Sequence, residues 1–143
     1  MEVTNEKKVK KWMVLMLAVM LSAVVTVPVK AERKSWEFNK AANRSFTNLA
    51  SGSKADEEVN WYVTLNKTKY TNISGTNRFQ CKVLDGKTGG DASVLVTISS
   101  YAKRKATIYT LDVYPKYTSK LVGRKDPKST TKGNLVLWGY FTP

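Results

Sequence analysis

The sequence contains no histidine and only one cysteine, Cys81, among its 143 residues. The missing histidine excludes an imidazole general base, a Ser-His-Asp or Cys-His catalytic group and a zinc site built on histidine. A single cysteine excludes an internal disulfide. Acidic residues are also scarce, since 11 Asp and Glu face 24 Lys and Arg and leave a formal net charge of +13. The chain is therefore strongly basic, and its length suits one domain.

The first 31 residues have the three-part layout of an export signal. A lysine-rich start precedes an apolar run at residues 12–25, and small or slim residues precede a cleavage point after Ala31. We predict that residues 1–31 form a helical signal peptide removed by signal peptidase, and that residues 32–143 form one secreted domain. A retained membrane anchor is the alternative, because residues 12–29 approach the length that spans a bilayer.

Residues 32–143 remain basic without the signal, with 19 basic and nine acidic side chains. A domain of this size buries about two-thirds of its unfolded surface, which is enough for one core without metal or disulfide support. Disulfides are frequent in proteins of oxidising secretory pathways, so export without a cysteine pair favours a Gram-positive bacterium. We expect an extracellular protein that associates with the cell surface.

Apolar and polar residues alternate along most of residues 32–143, which is the pattern of strands with one buried face. The alternation predicts six strands, whose inward positions are Trp36 and Phe38; Val59, Trp61, Val63 and Leu65; Phe79, Cys81 and Val83; Val94, Val96 and Ile98; Tyr109, Leu111 and Val113; and Leu135, Leu137 and Phe141. Turn residues at 85–91 favour consecutive antiparallel hairpins. We therefore predict an all-β fold, a small antiparallel β-sandwich or open barrel of about six to seven strands.

Two stretches break the alternation. Residues 50–58 are rich in Ser, Gly and charge and predict a loop, preceded by a weak helical turn signal at residues 39–49. Residues 115–133 form a long basic connection, a length that is often functional or mobile. Within this connection Leu121 and Val122 predict a short edge strand, whose lysines would prevent pairing with other chains.

Catalytic groups do not converge in the sequence. The acidic triplet at residues 56–58 is dense, but neighbouring side chains of an extended chain point in opposite directions. A hydrolase built on distant carboxylates such as Asp85 and Asp112 is an open alternative, although no spacing selects them. We expect a non-enzymatic protein without cofactor or metal. Cys81 lies on the inward phase of its strand and is predicted to be a small buried apolar group.

Cations and tyrosines interleave in residues 101–105 and 114–120. Such patches attract anionic polymers by counterion release, and aromatic faces add stacking. Outside a cell the accessible polyanions are phosphate-rich wall polymers and anionic lipid surfaces, and no specific nucleic acid is expected. A solvated basic surface without a dedicated ligand is the alternative. The predicted anion-binding residues are Lys103, Arg104, Lys105, Lys116, Lys120, Arg124, Lys125, Lys128 and Lys132, with Tyr101, Tyr114 and Tyr117 adding contact area.

The last strand is apolar on both faces, because Val136, Trp138 and Tyr140 alternate with its inward residues. A central strand that is covered on both sides would explain this pattern. Alternatively, Trp138 and Tyr140 form an exposed platform that stacks a sugar ring or engages a partner.

The layout resembles small secreted proteins of Gram-positive bacteria that are grouped as domains of unknown function. The resemblance is carried by Trp36-Glu37-Phe38-Asn39, by the segment from Tyr70-Thr71-Asn72 to Arg78, and by Leu137-Trp138-Gly139-Tyr140-Phe141-Thr142-Pro143. Some of those proteins are similar in size, export and all-β character to lactococcin-972-type bacteriocins. This resemblance implies a bacteriocin-like antagonist of neighbouring cells as an alternative, and it implies no site residue. The leading hypothesis is a secreted protein that binds the anionic cell envelope through basic loops.

Overall fold

The computed structural model describes residues 32–101 and 104–143, so the predicted signal at residues 1–31 lies outside the described residues. All regular structure in these ranges is β. The strands are β1 (Lys34–Lys40), β2 (Thr47–Ser53), β3 (Asn60–Leu65), β4 (Phe79–Asp85), β5 (Val96–Ile98), β6 (Lys105–Ile108), β7 (Thr118–Lys125) and β8 (Leu135–Thr142). No helix in the described ranges has the length and apolar character needed to cross a membrane.

The strands form two four-stranded antiparallel sheets, with the orders β1-β8-β3-β6 and β2-β7-β4-β5. This confirms the all-β prediction, but the strand count is eight rather than six to seven. The expected succession of hairpins is wrong, because only β4 and β5 are neighbours both in sequence and in a sheet. Nearly every connection crosses from one sheet to the other. The alternation of apolar and polar residues therefore identified the buried faces of strands but not which strands pair with each other.

Aromatic rings join the two sheets in one hydrophobic core. Trp36 of the first sheet stacks on Phe79 of the second with ring centroids 5.6 Å apart, and Phe38 meets the edge of the same ring at 5.3 Å. Such pairs contribute about 0.5–1.5 kcal/mol each beyond their buried area. Cys81 is fully buried as predicted, and burial raises the pKa of its thiol to about 12. The core is therefore sandwich-like and closed by contacts between the sheets.

Three residues that the alternation placed inward are exposed. Val59 and Val94 are each 57% exposed, and Leu111 is 46% exposed. All three lie in loops beside β3, β5 and β6, where the chain bends and a period of two no longer selects a face. The predicted strand around Leu111 was wrong for the same reason, since the strand there is β6, which ends at Ile108.

Strands β2 and β7 lie in stretches where the sequence predicted a loop and a long basic connection. β2 carries small polar side chains and has a bulge between Asn48 and Ala50, so its sequence does not show the alternation of apolar and polar residues. β7 is not an edge strand, because it pairs with β2 on one side and β4 on the other. Its inward alternation is broken by Gly123, where an added Cβ would lie 2.5 Å from the Phe79 ring. The Phe79 ring occupies the space that a side chain would need.

Candidate anion-binding surface

The connections gather at two ends of the sandwich-like body. At one end β1, β3, β5 and β7 finish and β2, β4, β6 and β8 begin. Three loops that are described in full, 41–46, 66–78 and 126–134, lie together at this end, where the β5–β6 loop also lies. We call these three loops the cationic end. They contain six basic residues and one acidic residue. The basic residues are Arg44, Lys67, Lys69, Arg78, Lys128 and Lys132.

The opposite end consists of loops 54–59, 86–95 and 109–117, which we call the tyrosine end. These loops contain three basic and five acidic residues. One of the three cations, Lys54, is buried and donates to Asp56 at 2.8 Å. The topology therefore separates positive from negative charge along the strand direction.

The acidic residue of the cationic end, Asp126, is withdrawn from its surface. Its side chain is 2% exposed, and one carboxylate oxygen lies 2.7 Å from the guanidinium of Arg78. The other oxygen accepts the backbone N–H of Lys128 at 2.8 Å. The carboxylate is thus paired inside the loop and presents little negative charge to solvent.

Lys125 departs from the prediction of a surface cation. It lies on the inward phase of β7 opposite Phe79 and is only 1% exposed. Its ammonium donates to the backbone carbonyls of Thr131 and Gly133, each at 2.7 Å. Lys125 therefore fixes loop 126–134 from beneath, and it cannot contact a polymer in this conformation.

Side-chain hydrogen bonds tie loops 66–78 and 126–134 to each other. Asn72 donates to the carbonyl of Asn134 at 3.0 Å and accepts the backbone N–H of Val136 at 2.8 Å. The hydroxyls of Thr131 and Thr76 are 2.9 Å apart. The lysines of these loops are consequently held in a fixed spatial relationship.

The other predicted cations do not form a single patch. Lys128 and Lys132 are exposed at the cationic end, whereas Lys116 is exposed at the tyrosine end with a positive φ of 71°. The eight residues of β7 between these ends span about 26 Å at about 3.3 Å per residue. Lys120 is half-buried on the outer face of the second sheet.

Arginine side chains are held against aromatic rings. Arg124 lies 4.4 Å from the Phe46 centroid and donates to the carbonyl of Arg44 at 2.8 Å, which places it beside the cationic end. Arg104 stacks on Tyr62 at 3.7 Å on the outer face of the first sheet. Lys105 is half-buried opposite Val63, and Lys103 lies outside the described residues.

Two of the three predicted loop tyrosines, Tyr114 and Tyr117, lie away from the cationic end, whereas Tyr101 lies in the β5–β6 loop at the same end. Tyr114 is 69% exposed, and Tyr117 packs edge-on against the buried Tyr109 with centroids 6.1 Å apart. Tyr114 and Tyr117 line a cavity of about 410 Å³ that also holds Asp85 and two lysines. Backbone N–H groups of Lys87 and of the next residue lower the pKa of Asp85, so this cavity contains an ionised carboxylate. Tyr101 is 43% exposed in the β5–β6 loop.

Two further carboxylates at the tyrosine end also have lowered pKa values. Asp56 is lowered chiefly by its hydrogen bond from Lys54, and Glu58 chiefly by the hydroxyl of Tyr62. A general acid needs the opposite shift, toward neutral pH. Asp56 and Glu58 therefore act as ionised acceptors within the fold.

Sequence reasoning missed Arg44, Lys67, Lys69 and Arg78 as members of the cationic end, and Lys40 at the end of β1 beside it. They are isolated in sequence, and only the pairing of β1 with β8 and of β4 with β7 brings their loops together. The one available signal was the high net charge of the whole domain.

The outer face of β8 is half-covered. β8 is a central strand between β1 and β3, as one alternative predicted, but Trp138 and Tyr140 on its outer face are only half-buried. Trp138 lies beside Tyr70 with centroids 6.1 Å apart, and Arg33 stacks on Tyr140 at 3.8 Å. Both aromatic side chains are therefore accessible on one side.

Comparisons with family models, with curated proteins and with solved structures find no match for this chain.

Proposed function

We propose that the protein is a secreted β-sandwich that binds a phosphate-rich polymer of the cell envelope through its cationic end. The observation that carries the proposal is the ratio of six basic residues to one acidic residue in three adjoining loops. That one acidic residue, Asp126, is buried and paired. Asp126 offsets the charge of Arg78, and the other five basic residues leave the three loops with a net charge of +5.

A chain of phosphates suits this surface better than a single ion. The four exposed lysines lie in pairs on loops 66–78 and 126–134, so a polymer that crosses the end meets several of them in turn. Single exposed ion pairs contribute only about 0–1 kcal/mol, so binding requires many contacts. Each neutralised phosphate also releases bound counterions, which makes affinity fall with salt.

The distribution of apolar side chains favours a polymer over a lipid surface. Membrane-surface binding combines cations with apolar side chains on the same face. Here the exposed Val59, Ile108, Leu111 and Tyr114 gather around a groove at the tyrosine end. The exposed aliphatic residues are thus at the opposite end from the cationic loops, whose large exposed apolar side chain is the aromatic Tyr70.

The test compares two triple variants with equal loss of charge. One replaces Lys67, Lys128 and Lys132 with Gln at the cationic end. Binding to a poly(glycerol phosphate) chain is measured by titration calorimetry between 50 and about 300 mM salt. We expect weaker binding and a slope of log affinity against log salt that is shallower by about 2, at about 0.7 per contact.

The matched control replaces Lys87, Lys116 and Lys120 with Gln, away from the cationic end. We expect this variant to keep most of the affinity and slope of the unmodified protein. Equal losses in the two variants would show that only the total charge matters and would contradict a dedicated surface. Tighter binding to anionic vesicles than to the polymer would contradict the choice of partner.

A further inference from the structure

Trp138 differs from the other two described tryptophans in its surroundings. Trp36 and Trp61 are 5% and 0% exposed and belong to the core. Trp138 is half-buried on the outer face of β8, and neither of the two described sheets packs over that face. The adjacent Tyr70 is 60% exposed, and the two rings are tilted by 53°. Together they form an aromatic shelf, defined by Trp138 and Tyr70.

The shelf adjoins the cationic end. Tyr70 belongs to loop 66–78, and the ammonium of Lys69 lies 4.8 Å from the centroid of its ring. The same loop is bonded to loop 126–134 through Asn72. A polymer that crosses the cationic end therefore passes beside the shelf.

A carboxylate lies beside the shelf in register. Glu37 of β1 pairs directly with Trp138, and it is exposed on the same outer face. Directly opposed residues have Cβ atoms about 4.5–5.5 Å apart. A carboxylate repels a nearby phosphate, whereas it accepts hydrogen bonds from hydroxyl groups. A neutral ligand group rich in hydroxyls therefore suits the position above Trp138 better than a phosphate does.

An aromatic face next to a hydrogen-bond acceptor has the chemistry needed to hold a sugar ring. The ring's apolar C–H face contacts the aromatic surface, and its hydroxyls reach the carboxylate. We propose that the Trp138–Tyr70 shelf binds a hexose substituent of the anionic polymer, with Glu37 accepting hydrogen bonds from the hexose hydroxyls. This proposal rests on the proposed function, because the cationic end holds the phosphate backbone that carries the sugar.

The experiment compares a poly(glycerol phosphate) chain bearing glucosyl substituents with the same chain without sugar. Stacking of one ring on an aromatic side chain supports a gain in affinity of about tenfold for the glucosylated chain. Tyr70→Ala and Glu37→Gln should each reduce that gain and leave binding of the bare chain within about twofold. Tyr70 and Glu37 are exposed, so both variants are expected to fold.

Acrylamide quenching gives a readout that is independent of affinity. The fluorescence of Trp138 is isolated by subtracting the spectrum of Trp138→Phe. Saturation with the glucosylated chain should protect Trp138 from the quencher, whereas the bare chain should leave it accessible. Equal affinity for the two chains with unchanged quenching would overturn the sugar site.

The two proposals fail in different ways. If the sugar site is wrong, the triple variant at the cationic end weakens both chains equally and Trp138 is never protected. If the cationic end is wrong, the triple variant has no effect while the glucosylated chain still protects Trp138. Absence of binding by either chain would overturn both proposals.

Discussion

Gly139 is the position on β8 where a side chain has the least room. It pairs with Trp36 on β1 and with Leu65 on β3. A Cβ at Gly139 would overlap the backbone carbonyl oxygen of Thr64 and would lie 2.7 Å from an atom of the Trp36 ring. The ring could shift, but the carbonyl belongs to the neighbouring strand. Gly139→Ala therefore has to separate β8 from β3.

The size of the effect follows from these contacts. Overpacking a core costs about 1–3 kcal/mol, and each strained ladder hydrogen bond adds about 1 kcal/mol. We expect Gly139→Ala to lower the free energy of unfolding by at least about 3 kcal/mol. For a domain of this size, that corresponds to a fall in Tm of about 12 °C.

Gly75→Ala is the matched control, because nothing lies within 4 Å of a Cβ added at Gly75. We expect its free energy of unfolding to stay within about 0.5 kcal/mol of the unmodified protein. Thermal and urea unfolding, followed by circular dichroism, measure both variants. A Tm for Gly139→Ala close to that of Gly75→Ala would refute the pairing of β8 with β3.

Three further outcomes follow from buried or paired groups. Cys81 should resist thiol reagents at pH 8 in the folded protein and react in urea, since burial raises its pKa to about 12; rapid native labelling would contradict its burial. Asp126→Asn should lower the free energy of unfolding in urea by about 2 kcal/mol, which is less than the loss for a fully buried ion pair because Arg78 is partly exposed. An unchanged urea midpoint would show that the ion pair contributes little to stability. The hydrogen bond from Lys54 lowers the pKa of Asp56, so the contact stabilises the folded protein above about pH 4, and this stabilisation is lost as pH falls through the pKa of Asp56 in the folded state. Asp56→Asn should therefore reduce the loss of folding stability at acidic pH. An unchanged dependence of stability on pH in this variant would argue against the contact.

The fold class could be predicted because period-two alternation depends on local sequence. Trp61 and Phe79 lie on buried faces as the pattern predicts. Strand order could not be predicted, because pairing depends on contacts far apart in sequence. β7 was predicted only as a short edge strand at Leu121 and Val122, because Gly123 and Lys125 occupy inward positions that usually hold apolar side chains. Each has a specific tertiary partner that the sequence does not reveal.

The candidate surface was only partly predictable for a related reason. Lys128 and Lys132 belong to the cationic end, as the basic connection suggested. Lys116 lies in the same predicted connection, but β7 carries it to the opposite end. Treating that connection as one basic stretch with a short edge strand merged two surfaces that the eight residues of β7 separate.

Lysine footprinting would show directly whether the polymer binds at the cationic end. The protein is acetylated with and without saturating poly(glycerol phosphate), and the modification of each lysine is measured by mass spectrometry. We predict protection of Lys40, Lys69 and Lys132 at or beside the cationic end and none at Lys87 or Lys116. Equal protection at both ends, or stronger protection of Lys87 and Lys116, would contradict the account.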